Sequence, residues 1–92
     1  MKRYYRWKWD ETRGDEFDSW GTSIWFFEIG EDKYITRQIE VYENGNRLKY
    51  HSDKRFDDYG GLGKDPLDEM EYKEFEIDKN EFEIEWDKSI RI

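Results

Sequence analysis

The sequence predicts a single α+β domain over residues 1–92, a four-stranded antiparallel meander with a C-terminal helix packed on one face. Three observations lead to this fold class. A chain of 92 residues has room for one hydrophobic core. Four segments rich in aromatic and β-branched residues follow one another, mostly across short turns, as the strands of a meander do. The last third places apolar residues at helical spacing.

The first two strands are predicted from aromatic runs. In "RYYRWKW" (3–9) Tyr5, Trp7 and Trp9 fall on one face, and the even positions from Tyr4 to Lys8 fall on the other. The polar stretch 10–21 is predicted to be a loop. "SIWFFEI" (23–29) is densely apolar, which is typical of a central strand.

The next two strands form a hairpin. They are predicted at 34–42 ("YITRQIEVY") and 47–52 ("RLKYHS"), and Ile35, Ile39 and Val41 are expected to share a face with Arg37. Between them, "ENGN" (43–46) is the clearest local signal, because Asn-Gly adopts positive φ readily and fits a two-residue hairpin turn. Glycines and Pro66 then predict a loop over 53–66.

The last third of the chain allows two interpretations. "EFEIEW" (81–86) alternates like a half-buried strand, yet Phe82, Trp86 and Ile90 also have the i, i+4, i+8 spacing of a helix. Asp78, with Glu81 three residues on, has the spacing of an N-cap and its capping-box partner. This favours a helix from Lys79 to Ser89 over a hairpin, and a short helix at Pro66–Glu71 is also compatible with the sequence.

The core must be largely aromatic. Leu, Ile and Val together number twelve, against eighteen Trp, Tyr and Phe residues. Each aromatic side chain can bury ~150–250 Å², so a few suffice for a compact centre. The predicted core residues are Ile24, Phe26, Ile35, Ile39, Val41, Phe82 and Trp86.

Charge is the most informative feature of the composition. The formal net charge is −8. Residues 1–64 carry thirteen acids and twelve bases, whereas residues 65–92 carry eleven acids and four bases. This balance opposes binding to a phosphate backbone and favours a partner with a basic surface.

Several classes of chemistry lack their motifs. There is no cysteine, which excludes disulfides and thiolate sites, and the single histidine, His51, has no second His or Cys to complete a metal site. "GGLGKD" (60–65) lacks the first glycine and the final Ser or Thr of a phosphate-binding loop. No spacing singles out a catalytic carboxylate pair. We therefore expect neither an enzyme nor a cofactor.

The compartment is expected to be the cytoplasm. "MKRYYRWKWD" (1–10) lacks the apolar run of a secretory signal, and no stretch approaches the ~18 apolar residues of a membrane span. No membrane partner is expected.

One alternative function remains open from the residues alone. "KRYYRWKW" (2–9) interleaves cations with aromatic rings, a composition found in modules that bind single-stranded nucleic acid by charge and stacking. The simpler interpretation is an edge strand whose cations blunt the edge. With a net charge of −8, the simpler interpretation is favoured, and no nucleic-acid partner is expected.

A set of motifs spread over nearly the whole chain resembles a known family. It comprises "TRQIEVYENG" (36–45), Tyr50, Leu62, Pro66-Leu67, "FEID" (75–78), "EFE" (81–83) and Trp86. Together they resemble small, uncharacterised bacterial domains that are similar to immunity proteins of polymorphic and contact-dependent toxin systems. The resemblance implies a protein that binds and neutralises a cognate toxin, expected to be a nuclease with a basic site, through an acidic surface.

The predicted partner-binding residues are mainly the clustered acids. They are Glu81, Glu83, Glu85, Asp87, Glu74, Glu76, Asp15, Glu16, Asp18 and Trp20. The first four are expected to be exposed in either local geometry, because Phe82 and Trp86 between them are needed in the core.

Overall fold

The computed structural model describes residues 2–57 and 59–88. The strands are β1 (Arg3–Trp9), β2 (Ser23–Ile29), β3 (Ile35–Tyr42), β4 (Arg47–His51) and β5 (Glu76–Ile77). The α-helices are α1 (Glu69–Tyr72) and α2 (Lys79–Lys88), and two short 3-10 helices cover Asp18–Trp20 and Lys73–Phe75. The predicted helix near residue 79 is confirmed over the hairpin. Its predicted end at Ser89 and the third apolar position, Ile90, lie outside the described residues.

The sheet has one strand more than predicted. Its order is β4-β3-β2-β1-β5, and every neighbouring pair is antiparallel. The four-stranded meander is thus confirmed, but β5 adds a fifth strand beside β1, where Tyr4 faces Ile77 and Tyr5 faces Glu76. Two residues are too short to produce a visible period of two, which explains why the sequence does not reveal β5.

The "ENGN" hairpin is confirmed with a longer loop than predicted. Tyr42 N donates to Asn46 O at 2.9 Å, and Gly45 N donates to Tyr42 O at 2.9 Å, so three residues form the loop. Gly45 has φ 95°, which glycine adopts without a steric penalty. This is a type I turn closed by a glycine bulge, the usual form of three-residue hairpins.

Because of a β-bulge in β3, one predicted core residue, Ile35, lies on the other face of the sheet from the one expected. Glu28 pairs with Arg37, but the next residue of β2, Ile29, pairs with Ile35, so Thr36 is the extra residue. The bulge reverses the alternation, because two residues of β3 oppose one of β2. Ile35 therefore lies on the opposite face from Ile39 and packs with Tyr5, Phe27 and Ile29.

Both faces of the sheet are buried. On one face, Phe82 of α2 packs against Tyr4, Phe26 and Ile39 of the sheet, and the half-buried hydrophobic residues around them are Ile24, Val41, Ile77 and Trp86. Apart from Ile35, every predicted core residue lies in this cluster. The second face is covered by loops and α1, and its two clusters contain Tyr5, Phe27, Ile29 and Leu67, then Trp20, Tyr42, Leu48 and Tyr50. Much of the aromatic content is used on this second face.

The short helix before β5 starts later than predicted. The sequence is compatible with a helix at Pro66–Glu71, whereas α1 spans Glu69–Tyr72. Asp68 is its N-cap, and its carboxylate accepts hydrogen bonds from Met70 N at 3.0 Å and Glu71 N at 3.4 Å. Among the described residues, no helix is long and apolar enough to cross a bilayer.

Candidate protein-docking site

The helix α2 begins at the predicted cap. Asp78 accepts a hydrogen bond from Glu81 N at 2.8 Å. One turn further on, Phe82 is fully buried and packs against Tyr4 with 5.2 Å between ring centroids. Trp86 stacks on Phe82 at 6.1 Å. The aromatic spacing thus fixes which side of α2 faces the sheet.

Glu83 is held by the sheet rather than exposed. Arg37 of β3 donates to its two carboxylate oxygens at 3.0 and 2.6 Å, which is a bidentate pair. The same guanidinium bonds to Glu28 of β2 at 2.5 Å and lies over the rings of Phe82 and Trp86, 4.9 and 4.8 Å from their centroids. Arg37 therefore joins β2, β3 and α2.

This network has a clear electrostatic signature. Burial alone would raise the pKa of Glu28, but hydrogen bonds from Arg37 and Thr36 outweigh burial and lower the pKa to about 2. The hydrogen bond from Arg37 likewise lowers the pKa of Glu83. Both carboxylates are consequently ionised at neutral pH and bound to the same cation.

Glu85 is also used within the fold. Arg47 of β4 donates to its carboxylate at 2.6 Å, and Lys88 lies 3.5 Å from the other oxygen. Lys49 donates to Trp86 O at 3.1 Å, near the C-terminal end of α2, and its ammonium lies 4.2 Å from the Trp86 ring centroid. Cations of β3 and β4 thus attach α2 to the sheet along its length.

The expectation that all four acids of α2 are exposed is therefore wrong for two of them. Glu83 and Glu85 are half-buried and ion-paired, whereas Glu81 and Asp87 are exposed. The core aromatics and all four acids lie within the seven residues 81–87, so they cannot all be on separate sides of the helix. Glu83 and Glu85 are therefore close enough to the sheet to pair with Arg37 and Arg47. Between the exposed pair, Ile84 is 48% exposed, which leaves an apolar side chain on the outer side of α2.

The loop 10–21 contributes exposed acids but not an exposed tryptophan. Trp20 is only 9% exposed and packs between Phe17, Tyr42 and Tyr59, so it lies in the core rather than at the predicted docking surface. Glu16 is exposed. This burial was not predictable from the loop sequence, because two of the three aromatic partners of Trp20, Tyr42 and Tyr59, come from distant parts of the chain.

Asp15 and Asp18 are exposed and also shape this loop. Asp15 accepts a hydrogen bond from Phe17 N at 2.8 Å, and Asp18 accepts one from Gly14 N at 2.8 Å. The hydrogen bond from Phe17 N lowers the pKa of Asp15, and hydrogen bonds from the Thr12 side chain and from Gly14 N lower the pKa of Asp18. Arg13 anchors the loop, since its guanidinium donates to Tyr59 O and Asp15 and lies 5.1 Å from the Phe17 ring centroid.

One buried carboxylate on the second face has a structural role. Glu40 accepts hydrogen bonds from Gln38 Nε2 at 2.8 Å and Tyr42 Oη at 2.5 Å. Gln38 also donates to Gly61 O and accepts from Gly63 N, which fixes the loop after β4. Burial raises the pKa of Glu40 despite these hydrogen bonds. Its oxygens are engaged within the fold.

Acids also predominate in the segment 68–81, which we call the acidic segment. By sequence it carries seven acids and two bases. Glu74 and Glu76, both predicted partner-binding residues, are exposed, and Arg3 lies 3.9 Å from Glu76. Within the described chain, no ion pair engages the side chains of Glu71, Glu74 and Glu81.

Two apolar side chains lie among these acids. Met70 is 82% exposed and Phe75 is 38% exposed. Sequence reasoning did not single them out, although the pattern "EMEYKEFE" (69–76) contains the signal: rings and a methionine between carboxylates, with one turn of helix too short to bury them all.

The predicted docking residues do not form one surface. β5 pairs with the start of β1, at Tyr4 and Tyr5. The loop 10–21 lies at the other end of the sheet, where Asn44 N donates to Trp20 O at 3.2 Å and Ser23 pairs with Tyr42. The acidic segment and the outer side of α2 are continuous along the chain, and they form the candidate site.

The basic aromatic strand is divided by the sheet. On the second face, Trp7 and Trp9 stack on each other, and both contact Trp25 edge to face. Lys8 points to the α2 face and donates to Thr22 Oγ1 at 2.9 Å, and Arg6, two residues earlier, shares that face. Cations and indole rings thus lie on opposite sides of β1.

No protein-family model matches the chain, and neither a curated protein nor a solved structure gives a significant match. In residues 2–57 and 59–88 there is no group of three or more His, Cys, Asp or Glu side chains placed to hold a metal ion.

Proposed function

We propose that this protein binds a partner protein with a basic surface and neutralises it, as a bacterial immunity protein neutralises its cognate toxin. The observation that carries the proposal is the acidic segment, where exposed acids alternate along the chain with the exposed side chains of Met70 and Phe75. The protein would act in the cytoplasm and would need no cofactor.

The first support is the division of the acids. The fold needs Glu83 and Glu85, which neutralise Arg37 and Arg47. Among residues 2–57 and 59–88, no cation forms such an ion pair with Glu71, Glu74 or Glu81. Exposed acids close in sequence repel one another, so local stability does not account for them. Attraction of a cationic partner would account for these exposed acids, and it would also raise the association rate.

The second support is the presence of apolar anchors. Methionine and aromatic side chains are enriched at protein interfaces, where a polar rim surrounds a less polar centre. Met70 and Phe75 provide such a centre, and Ile84 provides another on the outer side of α2. Carboxylates spaced around apolar contacts suit a nuclease, whose substrate site is built to receive phosphates.

The alternative function, binding of single-stranded nucleic acid through β1, receives less support. A strand bound by stacking needs rings and cations on the same side, so that bases and phosphates are contacted together. Trp7 and Trp9 face away from Arg6 and Lys8, and each indole already contacts Trp25.

The test requires a candidate toxic domain, which would be sought among the genes that neighbour the gene for this protein. Co-expression should restore growth of cells that produce the toxic domain, and surface kinetics should give the association and dissociation rates at low and physiological salt. The charge-neutral variant Glu71→Gln/Glu74→Gln/Glu81→Gln should bind more weakly, with a reduced salt dependence of the association rate.

A matched control uses acids elsewhere on the surface. The variant Asp10→Asn/Glu16→Gln/Asp53→Asn removes the same number of exposed charges outside the acidic segment. It should keep most of the affinity. If both variants lose affinity equally, the acidic segment contributes only through net charge. If co-expression does not restore growth, the proposed function itself is contradicted.

A further inference from the structure

The outer edge of β1 is only partly paired. β5 covers Tyr4 and Tyr5, and the register with β2 continues for four more residues, Arg6–Trp9. In an antiparallel sheet, alternate residues direct their N–H and C=O groups to each side, so two of these four residues direct theirs outward. No hydrogen bond from the rest of the described chain reaches them. The open edge is about 13 Å long, at about 3.3 Å per residue.

The two sides of this open edge differ in chemistry. Arg6 and Lys8 are exposed on the α2 face, while Trp7 and Trp9 present a half-buried, stacked pair of indoles on the second face. A strand added here would place its alternate side chains beside the cations and beside the indoles, respectively. The edge therefore selects by charge on one side and by apolar contact on the other.

The opposite edge of the sheet lacks this combination. The cations of β4, Arg47 and Lys49, are bonded to α2. The end of β4 is closed by the chain itself, since His51 and Lys54 exchange backbone hydrogen bonds at 3.1 and 2.9 Å.

We propose that the open edge of β1 binds an extended segment of a partner protein by strand addition, and that this segment alternates carboxylate and apolar side chains. The carboxylates face Arg6 and Lys8, and the apolar side chains extend the Trp7–Trp9 stack. This surface is separate from the acidic segment, and the proposal does not depend on the proposed function.

A second copy of this chain is a poor occupant of the same edge. Antiparallel pairing of two β1 edges that keeps both faces continuous sets Arg6 opposite Lys8 of the other copy, or in the adjacent registers sets Arg6 opposite Arg6 or Lys8 opposite Lys8. Like charges directly opposite one another destabilise a strand pair. The cations thus disfavour self-association while favouring an acidic strand.

The probe is a short capped peptide in which glutamate and valine alternate, titrated into isotopically labelled protein and followed by NMR. We expect shift changes centred on Arg6–Trp9 and slower hydrogen exchange at the outward amides. The same peptide N-methylated at alternate residues keeps its charge but loses the backbone donors. It should not bind, because strand addition depends on main-chain hydrogen bonds.

Variants test the charge selection. Arg6→Glu/Lys8→Glu should weaken peptide binding roughly tenfold, since two favourable cross-strand pairs become repulsive. Lys64→Glu/Lys54→Glu makes the same change of charge away from β1 and should leave binding almost unchanged.

Several results would overturn the proposal. Equal affinity for the N-methylated peptide would indicate simple charge attraction. Shift changes along β4 would place the strand at the wrong edge. Binding of an oligothymidylate at Arg6–Trp9 in preference to the peptide would favour a nucleic-acid ligand. If no peptide changes the chemical shifts, the cations of β1 serve only to prevent self-association of this edge.

Discussion

Arg37 connects β2, β3 and α2 through one guanidinium group on the α2 face. It neutralises Glu28, which is 3% exposed, and Glu83, and its guanidinium covers Phe82 and Trp86. Removing it would leave a buried carboxylate without its main cation, which typically costs several kcal/mol. The matched comparison is Arg6, which is exposed on the same face of the sheet.

We therefore expect Arg37→Ala to lower the free energy of unfolding by about 3 kcal/mol, and Arg6→Ala to change it by less than about 0.5 kcal/mol. Urea unfolding followed by tryptophan fluorescence measures both values. Similar losses in the two variants would show that the pairing of Arg37 contributes no more than an ordinary surface charge.

The pKa of Glu28 predicts how stability depends on pH. Its folded value of about 2 lies below the ordinary 4.5. The ionised Glu28 side chain therefore adds to the free energy of unfolding above about pH 4.5, and this contribution is lost as the pH falls towards 2. The contribution is at most about 3 kcal/mol. Unfolding measured between pH 6 and pH 2 should show this loss. The Glu28→Gln variant should be less stable at pH 6 and should lose less on acidification, whereas parallel profiles would contradict the assignment.

At the scale of elements, local signals predicted the positions of the strands and of α2. The Asn-Gly turn and the alternation of β1 need only neighbouring residues, and the cap at Asp78 needs only a spacing of three. The bulge at Thr36 was not predictable, because it depends on how β2 and β3 pair. The inward orientation of Glu83 likewise depends on Arg37, which is 46 residues away.

The cap of α2 gives a direct test at this scale. Asp78→Ala removes the acceptor of the Glu81 N hydrogen bond and should cost about 1 kcal/mol of unfolding free energy. Asp87→Ala, an exposed acid at the other end of α2, should cost little. Chemical denaturation of both variants checks the difference. If Asp78→Ala were as stable as Asp87→Ala, the helix would not rely on its cap.

At the scale of the whole molecule, net charge limits the choice of ligand. A formal charge of −8 repels phosphate backbones, and the cations of β1 are too few to compensate. We expect no measurable binding of single-stranded DNA or RNA at about 150 mM salt. Fluorescence anisotropy with labelled oligonucleotides provides the measurement. A micromolar dissociation constant that is weakened by Trp7→Ala would favour the nucleic-acid alternative instead.

The candidate site was predictable only in part at this scale. The excess of acids after residue 64 is visible in the sequence, and Glu74, Glu76, Glu81 and Asp87 are exposed as expected. The sequence does not show which acids form ion pairs within the fold. That depends on the cations of β3 and β4, which lie under α2. The place of Trp20 in the second core was hidden too, because Tyr42 and Tyr59 come from distant parts of the chain.

The two sides of α2 also differ in how freely they can change over evolution. Glu83 and Glu85 meet cations of the sheet, so their replacement would disturb the fold. Glu81, Ile84 and Asp87 are exposed, and substitutions at such positions usually alter stability very little. A lineage can therefore vary the outer side while retaining the scaffold. Selection for a different partner could act on α2 without first requiring a compensating gain in stability.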